Sequence, residues 1–165
     1  MTTQTLGRAA SSDVVMRPLP YLDDLKTGDE LAPISYTVTQ EMIDAYGAAS
    51  LDLNPVHMNP AWSERAQVFG TPSTVQHGMM SMSYMASVVL RAFGPLAEVT
   101  TIDSKFTKIG VIGAEITCLG KVRDIHPLGN GKDFAIVQVE AVDMDGDVVG
   151  VSEIHVRLPR RAAQA

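Results

Sequence analysis

The run Ala45–Ala66, AYGAASLDLNPVHMNPAWSERA, with its counterpart Thr74–Met80, TVQHGMM, decides how this chain is read. The first run places a carboxylate at Asp52 and an imidazole at His57, with Asn54-Pro55 between them. Pro55 fixes its own φ and moves Asn54 out of the helical region, so the spacing predicts a turn and not a helix. An Asn54 side chain bonded to nearby backbone would hold that turn rigid. Asp52 and His57 are thereby expected to converge on one point.

Working outward, Thr39 can cap a helix from about Gln40 to Ala49, whose Met42, Ile43, Tyr46 and Ala49 share one face and which delivers Asp52. Asn59 and Pro60 read as the cap and first-turn pair of a short helix, Ala61–Ala66. A third helix, Gly78–Phe93, ends at Gly94-Pro95; its only charged side chain is Arg91, which predicts burial all round. The remainder reads as strands: Ile34–Val38, then about Val99–Ile109, Ala114–Asp124, Asp133–Asp143 and Val148–Leu158. Ala114, Ile116, Cys118, Gly120 and Val122 alternate with Glu115, Thr117, Lys121 and Arg123, a half-buried antiparallel pattern with Leu119 the exception on the polar side. Asp145-Gly146 marks a hairpin.

The chain has 165 residues, 45% of them hydrophobic, which is enough for one core, and no internal repeat. The expected organisation is an N-terminal tail at 1–14, one domain at 15–159 and a C-terminal tail at 160–165. A formal net charge of −6 argues against a general binder of nucleic acid or anionic membrane. A single cysteine, Cys118, excludes an internal disulfide framework and fits a reducing compartment. No apolar run reaches membrane-span length and no signal-peptide pattern opens the chain, so a soluble cytoplasmic protein is expected.

The string D-L-N-P-V-H at 52–57, followed by H-G-M at 77–79 opening an apolar helix, resembles the MaoC-type hydratases and dehydratases, which include R-specific enoyl-CoA hydratases. The resemblance covers roughly residues 20 to 158. It implies an α+β single hotdog fold, about five antiparallel strands wrapped around a long central helix. It also implies that Asp52 and His57 hold a water on an acyl thioester while the Gly78 N–H meets the thioester oxygen. Asn54, Pro55 and His77 support that site. The family joins two protomers edge to edge, so a homodimer or larger homo-oligomer is expected, with a heterodimer as the alternative. No metal or redox cofactor is implied; coenzyme A or acyl carrier protein enters as part of the substrate. Two positions depart from the pattern. Ala86 stands where many R-specific hydratases carry a serine, and Gly113-Ala114 stands where many relatives carry Gly-Asp.

The chemistry accounts for the residue types. Adding water to an enoyl thioester needs a base toward water and an acid toward the α carbon. An imidazole titrates near neutrality and a carboxylate can orient water, and the sequence leaves open which of the two is the base. A backbone N–H at a helix start meets negative charge developing on the thioester oxygen. The alternatives are a hotdog thioesterase, using the carboxylate to direct water at the carbonyl carbon, and a non-catalytic subunit of a heteromeric complex. His77 reads as a helix cap or a loop-packing residue, and Met79, Met80, Met82 and Met85 as adaptable core. Lys105, Lys108, Lys121 and Arg123 read as a solvated strand face, with a coenzyme A phosphate as the rarer use. Cys118 reads as core. Asp52, His57 and His77 are too few for a recognisable metal motif, and no serine has a nucleophile-elbow pattern.

Overall fold

Thr39 accepts a hydrogen bond from Met42 N at 3.2 Å and so starts the helical half of a fold described, by a computed structural model, over residues 20–161. A 3-10 turn, Leu22–Asp24, and strand β1 (Glu30–Thr37) precede helices α1 (Gln40–Ser50), α2 (Pro55–Met58) and α3 (Pro60–Ala66). The long helix α4 (Gly78–Phe93) follows, and then strands β2 (Glu98–Phe106), β3 (Glu115–His126), β4 (Phe134–Asp143) and β5 (Val148–Arg157). The strands form one antiparallel sheet in the order β1-β3-β4-β5-β2, leaving β1 and β2 at the edges. Helix α4 lies across β1, β3, β4 and β5, which is the hotdog arrangement.

The period-two pattern of β3 is realised. Ile116, Cys118 and Val122 are buried with Val137, Val139, Ile154 and Val156 of the neighbouring strands, while Leu119 is 48% exposed on the outer face. Each such aliphatic side chain contributes about 1.5–3 kcal/mol on burial. β1 starts earlier than expected, at Glu30, and its register slips between Leu31 and Ile34. Pro33 lies in that gap and has no N–H to give the ladder, which an edge strand tolerates as a bulge. β2 stops at Phe106, because the N–H groups of Thr107 and Lys108 both turn to Val149 O.

Two expectations are corrected. Helix α4 is not buried all round: Met80, Met85, Val88, Val89 and Phe93 face inward, but Met79 is 52% and Leu90 46% exposed. One sheet covers one side of a helix, and α1 shields only part of the other. At the C-terminus, Arg160 and Arg161 are held as part of the fold. Arg160 pairs with Asp23 and Asp133, and Arg161 with Asp24; backbone N–H bonds first and the guanidinium second hold the Asp23 and Asp133 carboxyls below their ordinary range, and the Arg161 guanidinium foremost does so for Asp24. The tail expected at 1–14 and residues 162–165 lie outside the described residues. Among the described residues, no helix is long and apolar enough to cross a membrane.

Candidate active site

Helix α1 ends at Leu51, which takes the left-handed conformation at φ 60°, ψ 20° and turns the chain so that Asp52 leaves the helix axis. Asp52 N donates to Ser50 Oγ at 3.4 Å, and Asp52 Oδ1 accepts from Asn54 N at 3.4 Å. The segment after Asp52 corrects the expected turn between the two titratable groups. Asn54 Oδ1 accepts from Val56 N at 3.2 Å and caps a one-turn helix, Pro55–Met58, on which His57 lies. Proline's fixed φ, which excludes Asn54 from the helical region, also preorganises Pro55 as a first helical residue.

His57 Nδ1 lies 2.7 Å from Val75 O. A carbonyl only accepts, so Nδ1 carries a proton, which in a neutral ring leaves Nε2 as the nitrogen with the lone pair. His77 is 1% exposed and stands at the N-cap position of α4 without a side-chain bond to its own helix, so of the cap and packing readings its side chain follows the packing one. Its Nε2–H donates to the main-chain oxygen of Asp52 at 3.0 Å and lies 3.9 Å from Asp52 Oδ2. The His77 ring stacks on His57 with centroids 3.9 Å apart and is flanked by Tyr46 at 5.0 Å. Asp52, His57 and His77 thus bring one side-chain donor or acceptor atom each within 4.8 Å of one another. A closed structural zinc site takes four such ligands. The Asp52 side chain remains 53% exposed.

Gly78 opens α4 beside this cluster, and the first N–H groups of a helix have no acceptor within it. A Cβ at Gly78 would meet the Phe106 ring at 3.1 and 3.2 Å, so this position admits no side chain without moving β2's last residue. Ala86 is buried, and Gly113 sits in a turn at φ 86° closed by Ala114 N to Val111 O, so that second departure alters a loop.

Sequence reasoning missed the residues that bind the helices together. Gln40 Nε2 donates to His57 O at 3.0 Å and to Asp44 Oδ1 at 2.7 Å, while its Oε1 accepts from Thr74 Oγ1 at 2.5 Å. A glutamine at a helix start carries no signal of that role; only the tertiary approach of α1, α2 and residue 74 creates it. Deeper in, Tyr36 donates to Gln76 Oε1 at 3.3 Å and stacks on Tyr84, and burial pushes its phenol up to about 12. Burial likewise pushes the Cys118 thiol up to about 11, which suits core and not a nucleophile. Of the four basic positions expected on the strands, Lys108, which lies just beyond β2, is paired with Asp143 and Asp147 and Arg123 with Glu153.

Residues 26–144 match the family described as MaoC like domain. An (R)-specific enoyl-CoA hydratase of Rhodospirillum rubrum is 29% identical over 144 residues, covering 87% of this chain and 94% of that protein. Among solved structures, the R-hydratase PhaJ1 from Pseudomonas aeruginosa superposes with a TM-score of 0.76 at 19% identity, over 88% of this chain and 91% of that one. The ChsH1-ChsH2 complex from Mycobacterium tuberculosis does so with a TM-score of 0.69 at 16% identity, over 81% of this chain and 98% of that one. At these identities the structures speak for the fold alone. The family match takes in the whole Asp52–His57 segment, the start of α4 and most of the sheet, and by it this chain belongs to the MaoC-like domain family.

Proposed function

We propose that the protein is a hydratase or dehydratase acting on a 2-enoyl or 3-hydroxyacyl thioester, carried by coenzyme A or acyl carrier protein. The observation that carries this reading is the convergence of Asp52, His57 and His77 beside the N-terminal N–H groups of α4. In the hydration direction, one water sits between the carboxylate and the imidazole. His57 Nε2 takes its proton as the oxygen bonds the β carbon, and the same proton is returned to the α carbon, so atoms and charge balance. Asp52 orients the water, and its exposed carboxylate is suited to accepting from it. Negative charge that builds on the thioester oxygen is met by the Gly78 N–H, where the helix dipole favours it. Elements of water are added or removed with no change in electron count, so the reaction calls for no redox cofactor.

The rim of the site favours a second chain over it. Leu51 and Leu53 flank Asp52 at 80% and 61% exposure, and Met79 and Phe106 stand exposed beside Gly78. Edge strand β2 ends at this rim, and unpaired edges are normally covered. A homodimer is the simplest cover. A related second chain is the alternative, and the fold neighbour ChsH1-ChsH2 is itself a two-protein complex.

The test is an assay of the purified chain with enoyl-CoA, following the enoyl absorbance and free thiol together. Loss of absorbance without thiol supports hydration. Thiol release would make it a thioesterase, and neither signal across short, long, branched and aromatic enoyl-CoAs would leave a binding subunit.

A further inference from the structure

Asp52 has little that holds its carboxylate directly. The side chain is 53% exposed, and the only hydrogen bond it accepts among the described residues is a long one, from Asn54 N at 3.4 Å. Leu51, just before it, is in the left-handed region, which an L-residue adopts at a cost. The place of the carboxylate therefore depends on how the main chain of Asp52 is pinned. Two residues form that seat. Gly47 of α1 is buried, and a Cβ there would collide with Met58 Sδ and lie 3.2 Å from Asp52 O, so the carbonyl sits where only a glycine leaves room. His77 supplies the bond: its Nε2–H donates to Asp52 O at 3.0 Å, while Asp52 Oδ2 at 3.9 Å is beyond hydrogen-bond reach.

The His77 ring is closed off from any substrate. It is 1% exposed, stacked on His57 with centroids 3.9 Å apart and flanked by Tyr46 at 5.0 Å. Its Nδ1 is buried and has no hydrogen-bond partner among the described residues. A buried polar atom left unpaired costs stability, so an apolar ring would serve packing better at this position. What the imidazole supplies in exchange is the Nε2 donor. Resting on the hydratase reading above, we infer that His77 is a positioning residue: its Nε2–H, acting through the main-chain oxygen of Asp52, sets the place of the carboxylate that orients the water, and His77 itself touches neither water nor thioester.

The experiment measures kcat and KM separately on the full chain, with the enoyl-CoA that the panel above shows to be turned over best, for wild type and three variants. His77→Gln keeps an N–H donor at the same number of bonds from the main chain as Nε2. His77→Met has that length and no donor, and His77→Phe keeps the flat ring and no donor. Met and Phe are expected to lower kcat by about tenfold or more while KM stays within about twofold, because a misplaced carboxylate weakens the transition state and not the binding of substrate. Gln should recover most of that loss. In the Asp52→Asn background, His77→Met should have little further effect, since a group that acts through another adds nothing once the other is gone. Circular dichroism identifies a variant that fails to fold, and Met and Phe each carry the donor loss alone. A folded Met or Phe variant with the wild-type kcat overturns the role, as does a loss confined to KM, a Gln variant as slow as Met, or full additivity with Asp52→Asn. Failure of the underlying reading is separately visible: a wild type that hydrates no enoyl-CoA of the panel removes it and this role together, whereas an active wild type with equally active variants removes the role alone.

Discussion

Leu51 holds the most telling backbone conformation at the site, a non-glycine residue at φ 60° immediately before Asp52 and 80% exposed. An L-residue in the left-handed region costs about 1–2 kcal/mol, offset in part by the greater freedom a glycine would lose on folding. Leu51→Gly is therefore expected to raise the free energy of unfolding by up to about 1 kcal/mol in chemical denaturation; a loss of stability would show that this leucine packs on something in solution. At the same scale, the backbone around Asn54 and Pro55 is legible because short-range chemistry dictates it: a proline sets its neighbour's conformation and an asparagine caps the next turn. The partner of His77 is not legible in the sequence, because it is a main-chain oxygen 25 residues earlier, a contact that no local pattern encodes. Gln40 was invisible for the same reason.

Among the elements, α4 and the sheet meet through one close approach. A Cβ at Gly120 of β3 would lie 2.7 Å from Val88 Cγ1, and Val88 is only 1% exposed, with no room to retreat. Gly120→Val should destabilise the protein by about 1–3 kcal/mol or more by thermal or urea unfolding, the range for overpacking a filled core; an unchanged midpoint would mean that helix and sheet are less tightly seated than described. The strands and helices were largely readable from period and punctuation. What periodicity could not supply was the environment of each helix face. Met79 and Leu90 are as apolar as Val88 and Val89, and only the position of the sheet decides which pair is covered. The bulge in β1 follows from Pro33 being on an edge, which requires the strand order β1-β3-β4-β5-β2 to be known.

For the whole molecule, two expected outcomes follow. Tyr36 and Cys118 sit in the folded core with their proton loss pushed up to about 12 and about 11, against ordinary values of 10.0 and 9.0. Both are raised above their unfolded values, so their contribution to stability is complete below about pH 9 and is lost as pH rises through 9 to 12. The melting temperature should fall across that window, and fall less in Tyr36→Phe combined with Cys118→Ala; an equally steep fall in that variant would place the cause elsewhere. The proposed assembly predicts a particle of twice the single-chain mass or a multiple of it, with activity lost on dilution together with the dimer. A monomer by light scattering that still turns over enoyl-CoA would contradict the second chain over the site. The central claim, that Asp52 and His57 act together on one water, is tested most directly by the hydration rate of Asp52→Asn and His57→Ala beside wild type, each confirmed folded by circular dichroism. The account predicts that each lowers kcat by on the order of 10² or more, and near wild-type hydration by either folded variant would contradict it.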